Sequence, residues 1–221
     1  MKLDLILNIE TSTSNCSVSL SNGEDLIDII EIDNNSYSHS ENLHSFIQKI
    51  LKKNKIKSQE LACISVSRGP GSYTGLRIGV SAAKGLCFAN DIPLISVSSL
   101  EILANSISFS GIVIPTIDAR REEVYSCVFF ENNIIVEEKP EIITQESFKD
   151  HLINNEILII GSGQFKCEKI IKKNKNITFN NEIINPSSSH MPVLSYRKFI
   201  NKEFEDLAYF EPRYLKEFKS R

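Results

Sequence analysis

Residues 62–90, ACISVSRGPGSYTGLRIGVSAAKGLCFAN, constrain the chain more than any other stretch. Cys63, Ile64 and Val66 make an apolar, β-branched run that reads as a buried strand, and Gly69, Pro70, Gly71 and Gly75 end it in a loop. A helix follows. Leu76, Val80, Ala83 and Cys87 recur at helical spacing, and Ile78, Ala82, Gly85 and Ala89 repeat that spacing on another side, so two faces are expected to be dry. Gly75, Gly79 and Ala83 sit four apart and form a smooth ridge that a backbone can approach closely. Each glycine costs up to ~1 kcal/mol of helix propensity against alanine, which calls for an occupant on that ridge. Three fit: packing within the chain, a phosphate at the helix N-terminus, or a partner helix.

The named glycine motifs fail here. A P-loop needs lysine after its last glycine, but Leu76 follows Gly75; a nucleophile elbow needs serine where Tyr73 stands; a dinucleotide fingerprint needs a third glycine where Thr74 stands.

A chain of 221 residues with 41% hydrophobic and 24% charged residues is ordinary for a globular protein of one large or two small domains. Its net charge of -3 argues against a self-sufficient nucleic-acid binder, which needs a basic surface. Five scattered cysteines without a Cys-x-x-Cys pair fit reduced thiols, with Cys63 and Cys87 in core positions. Asp4 and Glu10 interrupt any apolar leader and no apolar run approaches the length of a membrane span, so a soluble, cytoplasmic protein is expected, with no membrane partner.

Along the chain, 3–9 and 16–22 read as strands, and Asn22-Gly23 as a hairpin turn into a third strand at 24–32. Ser38 with Glu41 makes a capping box for a helix whose face carries Leu43, Phe46, Ile47, Ile50 and Leu51. The strand and helix of 62–90 come next, then a strand at 94–97 and a helix of about ten residues capped by Ser98 and Glu101. The second half repeats the order: strands at 112–117, 123–130 and 134–143, a helix from Thr144 to about 154, a strand at 157–160 running into Gly161-Ser162-Gly163 and a lysine-rich helix, a strand near 177–184, and a helix from about 188 to 203. Two copies of β-β-β-α-β-α give an α/β protein of actin-like, sugar-kinase-like fold built from duplicated ribonuclease-H-like halves. The expected division is 1–108 and 109–221, with the tail at about 205–221 packing on the first half.

Proteins of that architecture usually hold ATP between their halves, on glycine-containing hairpin turns that each carry an acid. The turns here read Glu10-Thr11-Ser12-Thr13 and Asp118-Ala119-Arg120-Arg121: an acid in each, and no glycine to let a backbone wrap a phosphate. His39 and His44 lie five apart and project to different sides of a helix, and His151 and His190 have no partners in ligand spacing, so no metal is assigned. Lysines at 49–57 and 166–175 suit solvated helix ends. The tail interleaves Arg213, Lys216, Lys219 and Arg221 with Tyr214 and Phe218, a pattern suited to RNA phosphates and bases or to packing on the core.

ILNIETSTSNCSVSL (6–20), SRGPGSYTGLRIGVSAAKGL (67–86), IDARREEVY (117–125) and EPRYL (211–215) resemble the bacterial TsaB family, also called YeaZ. The resemblance runs along the chain in order, most specifically at 67–86 and 117–125, and hardly at all at 130–205. It implies a non-catalytic dimerisation subunit of the tRNA adenosine threonylcarbamoyltransferase complex. The implied partners are a homologous catalytic actin-like subunit that carries the metal, a small P-loop ATPase subunit, tRNA through the complex, and a second copy when the chain is isolated. No cofactor is expected on this chain alone, ATP or ADP and the metal belonging to the partners. The first two helices would pair with those of the catalytic subunit as a four-helix bundle, which assigns His39, Leu43, Phe46, Ile47, Ile50, Leu76, Ile78, Gly79, Ala82, Ala83 and Leu86 to the interface. Ile78→Glu with Ala82→Glu is then expected to break pairing without unfolding the chain. The loop Arg68, Gly69, Gly71, Ser72, Thr74, Gly75 and Arg77 would shape the helix start and approach nucleotide at a subunit boundary, and Arg213, Lys216, Lys219 and Arg221 would touch tRNA. Arg121-Glu122 departs from the family, where small or flexible residues are common. Two other readings stand beside this one: an autonomous actin-like ATPase or kinase, and a glycoprotease-type metallopeptidase.

Overall fold

The computed structural model describes residues 3–33, 39–152 and 155–216, and its contacts divide the chain into two units. The first unit holds residues up to 102 together with 186–213, and the second holds 103–185 with the segment from Tyr214 onward.

In the first unit, β1 (Leu5–Glu10), β2 (Cys16–Asn22) and β3 (Asp25–Ile32) form an antiparallel meander. Gly23, at φ 60°, makes the tight turn between β2 and β3 that Asn22-Gly23 foretold. After α1 (His39–Asn54), β4 (Cys63–Gly69) pairs parallel with β1, and after α2 (Tyr73–Asn90), β5 (Leu94–Ser98) pairs parallel with β4. The strand order is β3-β2-β1-β4-β5. The side-chain period of two then dictates both faces. Leu7, Ile9, Val18, Leu20, Ile64 and Val66 point to one side and pack with Leu43 and Ile50 of α1 and Val80, Ala83 and Cys87 of α2.

The opposite face of this sheet mixes Ile6, Cys63, Ile95 and Val97 with Asn8, Ser17, Ser19, Ser21 and Ser65, all buried. Polar alternation usually means a wet face; here residues 186–200 cover it. Ser188 N donates to Ser17 Oγ (2.9 Å), Ser19 Oγ donates to Ser188 O (2.7 Å), and Ser195 Oγ lies 2.7 Å from Asn8 Oδ1 and 2.8 Å from Ser65 Oγ. Met191 and Leu194 complete the apolar part. This hydroxyl seam is the physical reason that 186–213, placed by sequence order in the second half, belongs with the first unit.

In the second unit, β6 (Ile112–Asp118), β7 (Glu123–Phe130) and β8 (Asn133–Ile142) form another meander, with β9 (Ile157–Ile160) parallel to β6 and β10 (Ile177–Phe179) parallel to β9. Read from its meander edge the order is β8-β7-β6-β9-β10, the order of the first sheet repeated. Its core is Ile112, Ile114, Val124, Val128, Ile157 and Ile159 with Cys167 of α4 (Gln164–Ile170).

Several expected helices are shorter. α3 spans Ser99–Ala104 instead of about ten residues, although the Ser98–Glu101 capping box forms. The helix expected from Thr144 is, among the described residues, a turn followed by one 3-10 turn at Lys149–His151. Thr144 N donates to Ser147 Oγ (3.0 Å) and Phe148 enters the core in a left-handed conformation (φ 64°), so hydroxyl-to-backbone bonding outcompetes the helix. The last helix is a 3-10 turn at Ser188–His190 followed by α5 (Pro192–Ile200), and β10 stops at Phe179. Ser38 of the first capping box lies outside the described residues. All five cysteines are buried and free, and burial pushes the Cys16 thiol up to about 11 and that of Cys87 to about 12. No described helix is long and apolar enough to cross a membrane.

Candidate functional site

β1 and β4 run parallel side by side, so the turn after Glu10 and the glycine loop after Gly69 emerge at the same end of the sheet. Here the glycines face the chain's own turn. A Cβ on Gly71 would lie 2.1 Å from Ser12 O, one on Gly75 2.2 Å from Thr11 O, and one on Gly79 2.2 Å from Thr11 Oγ1. Ser72 N donates to Ser12 O at 2.6 Å, and Ser72 Oγ caps α2 by accepting from Gly75 N. The ridge of Gly75 and Gly79 is thus filled from within by Thr11, the packing within the chain that the sequence offered as one occupant. Nor do the residues fit a phosphate at the loop, because the space glycine leaves is already held by the Thr11–Ser12 backbone.

Glu10 lies under that turn, fully buried. Its Oε1 accepts from Ser12 N at 2.5 Å, yet burial outweighs this bond and its neighbours and pushes the carboxyl up to about 7. His39, which the resemblance assigns to the interface, is also buried, at 1% exposure. Its Nε2 donates to Thr13 O at 2.7 Å, and burial holds its pKa below the ordinary value. His44, on the same helix, is exposed. The two histidines do not converge, and among the described residues no group of three His, Cys, Asp or Glu side chains is gathered as a metal site would require.

The remaining interface residues divide sharply. Leu43, Phe46, Ile47, Ile50, Leu76, Gly79, Ala82 and Ala83 are buried in the first unit's own core, because both α1 and α2 spend their apolar stripes on the sheet and on each other. Ile78 and Leu86 are half-buried at the edge of that core. Ala82→Glu would therefore force a carboxylate into the interior and is no longer a clean probe of pairing. The open side of α2 is the next stripe round: Thr74, Arg77, Ser81, Gly85 and Phe88. Phe88 is 83% exposed, and nothing lies within 4 Å of a Cβ built on Gly85. Sequence spacing missed Ser81 and Phe88 because two apolar sets already accounted for the helix; the spacing of 81, 85 and 88 was the available signal.

In the glycine loop, Arg68 and Ser72 are half-buried, Gly69 (φ 101°) is buried, and Thr74 and Arg77 are exposed, with the Arg77 guanidinium 3.9 Å above the Tyr73 ring. Arg213 N donates to Arg68 O at 2.8 Å, which ties the C-terminal segment to the loop. Lys216 of the second unit pairs with Glu123 and donates to Ala119 O at 3.3 Å. Lys219 and Arg221 lie outside the described residues.

Duplicated five-stranded sheets of one strand order, each with an acidic turn at the end of its first strand, define an actin-like protein whose first turn has closed on its own glycine loop. Known proteins agree. The family model described as TsaD, tRNA N6-adenosine threonylcarbamoyltransferase, matches residues 33–221. The tRNA threonylcarbamoyladenosine biosynthesis protein TsaB of Bacillus subtilis is 31% identical over 96% of this chain and 93% of its own length; that of Escherichia coli is 28% identical over 96% and 94%. The structure of YeaZ from Pseudomonas aeruginosa superposes with a TM-score of 0.82 at 22% identity, covering 96% of this chain and all of that one. The ethanolamine utilization protein EutJ of Carboxydothermus hydrogenoformans shares the fold at a TM-score of 0.51 and 8% identity, over 86% and 89% of the two chains. The chain therefore belongs to the family that the TsaD model describes, and among its members to TsaB.

Proposed function

We propose that this chain is the pairing subunit of a tRNA threonylcarbamoylation assembly: it holds a homologous catalytic subunit in its working form and makes no bond itself. Family membership supports the pathway. The role within it rests on one observation, the occupation of the glycine loop by Thr11 and Ser12, which takes up the space a nucleotide phosphate would use. ATP and the metal then belong to the partners, a catalytic actin-like subunit and a small P-loop ATPase, and tRNA is engaged through the assembly. Leaving the chain out of a reconstituted mixture is expected to abolish modification, while the chain alone neither turns over ATP nor modifies tRNA. Full modification without it, or turnover by the chain alone, overturns the reading.

The pairing surface is the open stripe of α2, with Gly85 at its centre and Phe88 one turn on. A bare glycine lets a facing helix approach closely, and Phe88 supplies the apolar area. Gly85→Arg meets open space in the isolated chain, so it is expected to fold as the parent does yet fail to co-elute with the catalytic subunit on size exclusion. Undiminished co-elution rejects this surface.

A further inference from the structure

α4 is seven residues long and ends at Ile170, too short to cover the edge of the second sheet. Beyond it the edge strand β10 turns Ile177 and Phe179 toward the core of that unit, where both stay half-buried beside buried Ile171. This uncovered apolar wall lines a hollow of about 380 Å³. A second hollow, of about 260 Å³, adjoins it and shares Ile171, Ile177 and part of the loop between them. The loop is pinned at both ends: Ile171 N donates to Cys167 O at 2.8 Å, Lys172 N to Gln145 O at 3.1 Å and Ile177 N to Asn174 O at 3.1 Å. It carries Lys172, Lys173 and Lys175, all exposed and all lining the larger hollow. Among the described residues, none of these three ammonium groups makes an ion pair or a hydrogen bond. Of the acids lining the two hollows, Glu146 is paired with Lys149 at 3.4 Å, which leaves Glu168 against three lysines. A cleft lined by one sign of charge over apolar walls focuses its field and draws in the opposite sign. The lysine loop precedes β10 and the acidic turn at Asp118 follows β6; β6, β9 and β10 run parallel, so the two lie at opposite ends of the sheet.

We propose that this hollow binds a nucleoside phosphate, the base resting on Ile171, Ile177 and Phe179 and the phosphates held by Lys172, Lys173 and Lys175. The site goes beyond the function proposed above and does not depend on it. Small-ligand pockets of roughly 300–1,000 Å³ combine apolar walls with a few charged groups, as this one does. Ammonium groups donate to phosphate oxygens in charge-assisted hydrogen bonds, and a flat ring removes the wall from water. A bare phosphate chain would leave the wall wet, and an uncharged nucleoside would leave the lysines unanswered. Three long side chains must be ordered to close on the ligand, so binding is weak and reversible. No bond is made or broken there.

The isotope-labelled chain is titrated with ATP in the presence of a chelator, and its backbone amide NMR signals are followed. Signals of residues 171–179 are expected to shift saturably. Lys172→Gln with Lys173→Gln and Lys175→Gln alters only exposed side chains, so the fold is retained, and it is expected to weaken binding roughly tenfold. Lys49→Gln with Lys52→Gln and Lys57→Gln removes the same charge from the first unit and is expected to leave binding unchanged. Adenosine and inorganic tripolyphosphate are each expected to bind more weakly than ATP. The proposal is overturned if 171–179 do not respond, if both triple variants weaken binding alike, or if either half of the ligand binds as tightly as the whole.

Discussion

Gly75→Ala lowers the stability of this protein by about 3 kcal/mol or more, a fall of about 6–12 °C in melting temperature, or prevents it from accumulating folded. Taken as a helical residue, Gly75 should gain up to ~1 kcal/mol from the change. The sign is reversed because the added carbon would sit 2.2 Å from Thr11 O, a backbone atom of the buried turn that follows β1, and 3.1 Å from the buried His39 ring. Gly71→Ala behaves alike, with Ser12 O at 2.1 Å. Gly85→Ala, ten residues along the same helix, meets nothing and is expected to raise stability by up to ~1 kcal/mol. Thermal melts of the three variants beside the parent decide the matter. Gly75→Ala as stable as the parent would mean that the turn is not seated on the loop.

The second large effect is on pH dependence. Glu10 ionises near 4.5 in an unfolded chain and at about 7 when folded, so between those values the folded state holds a proton that the unfolded state has released. Stability is accordingly full below about 4.5 and is lost as pH rises through about 7. A shift of that size corresponds to about 3 kcal/mol. Glu10→Gln keeps an acceptor for Ser12 N and removes the titration. Urea midpoints of both proteins from pH 5 to 8 are expected to diverge as pH rises, the glutamine variant being the more stable at pH 8. Groups common to both, such as His39, cancel in the difference. Parallel profiles would show that the carboxyl is not buried as described.

The sequence made the duplicated order legible because both meanders alternate with a period of two and Asn22-Gly23 marks its turn without ambiguity. It exposed the glycine spacing of α2 as a place of close approach but could not say which backbone approaches, since Thr11 stands more than sixty residues from Gly75. The resemblance assigned Leu43, Ile50 and Ala83 to a partner, and spacing could not show that the chain's own sheet buries all three. The stretch from Thr144 to about 154 read as a helix because side-chain competition by Thr144 and Ser147 leaves the local pattern unchanged. The home of α5 was hidden altogether: its polar anchor, Ser195, is written as an ordinary helix residue, and its partners Asn8 and Ser65 stand 187 and 130 residues before it.

That last pairing sets an order of assembly. When the ribosome has delivered residues 103–185, the second sheet has every strand it needs. The sheet synthesised first still lacks its lid, and its row of serines waits in water for a helix made some ninety residues later. The half that begins the chain is in this sense the half that finishes folding, and its polar seam is the latch.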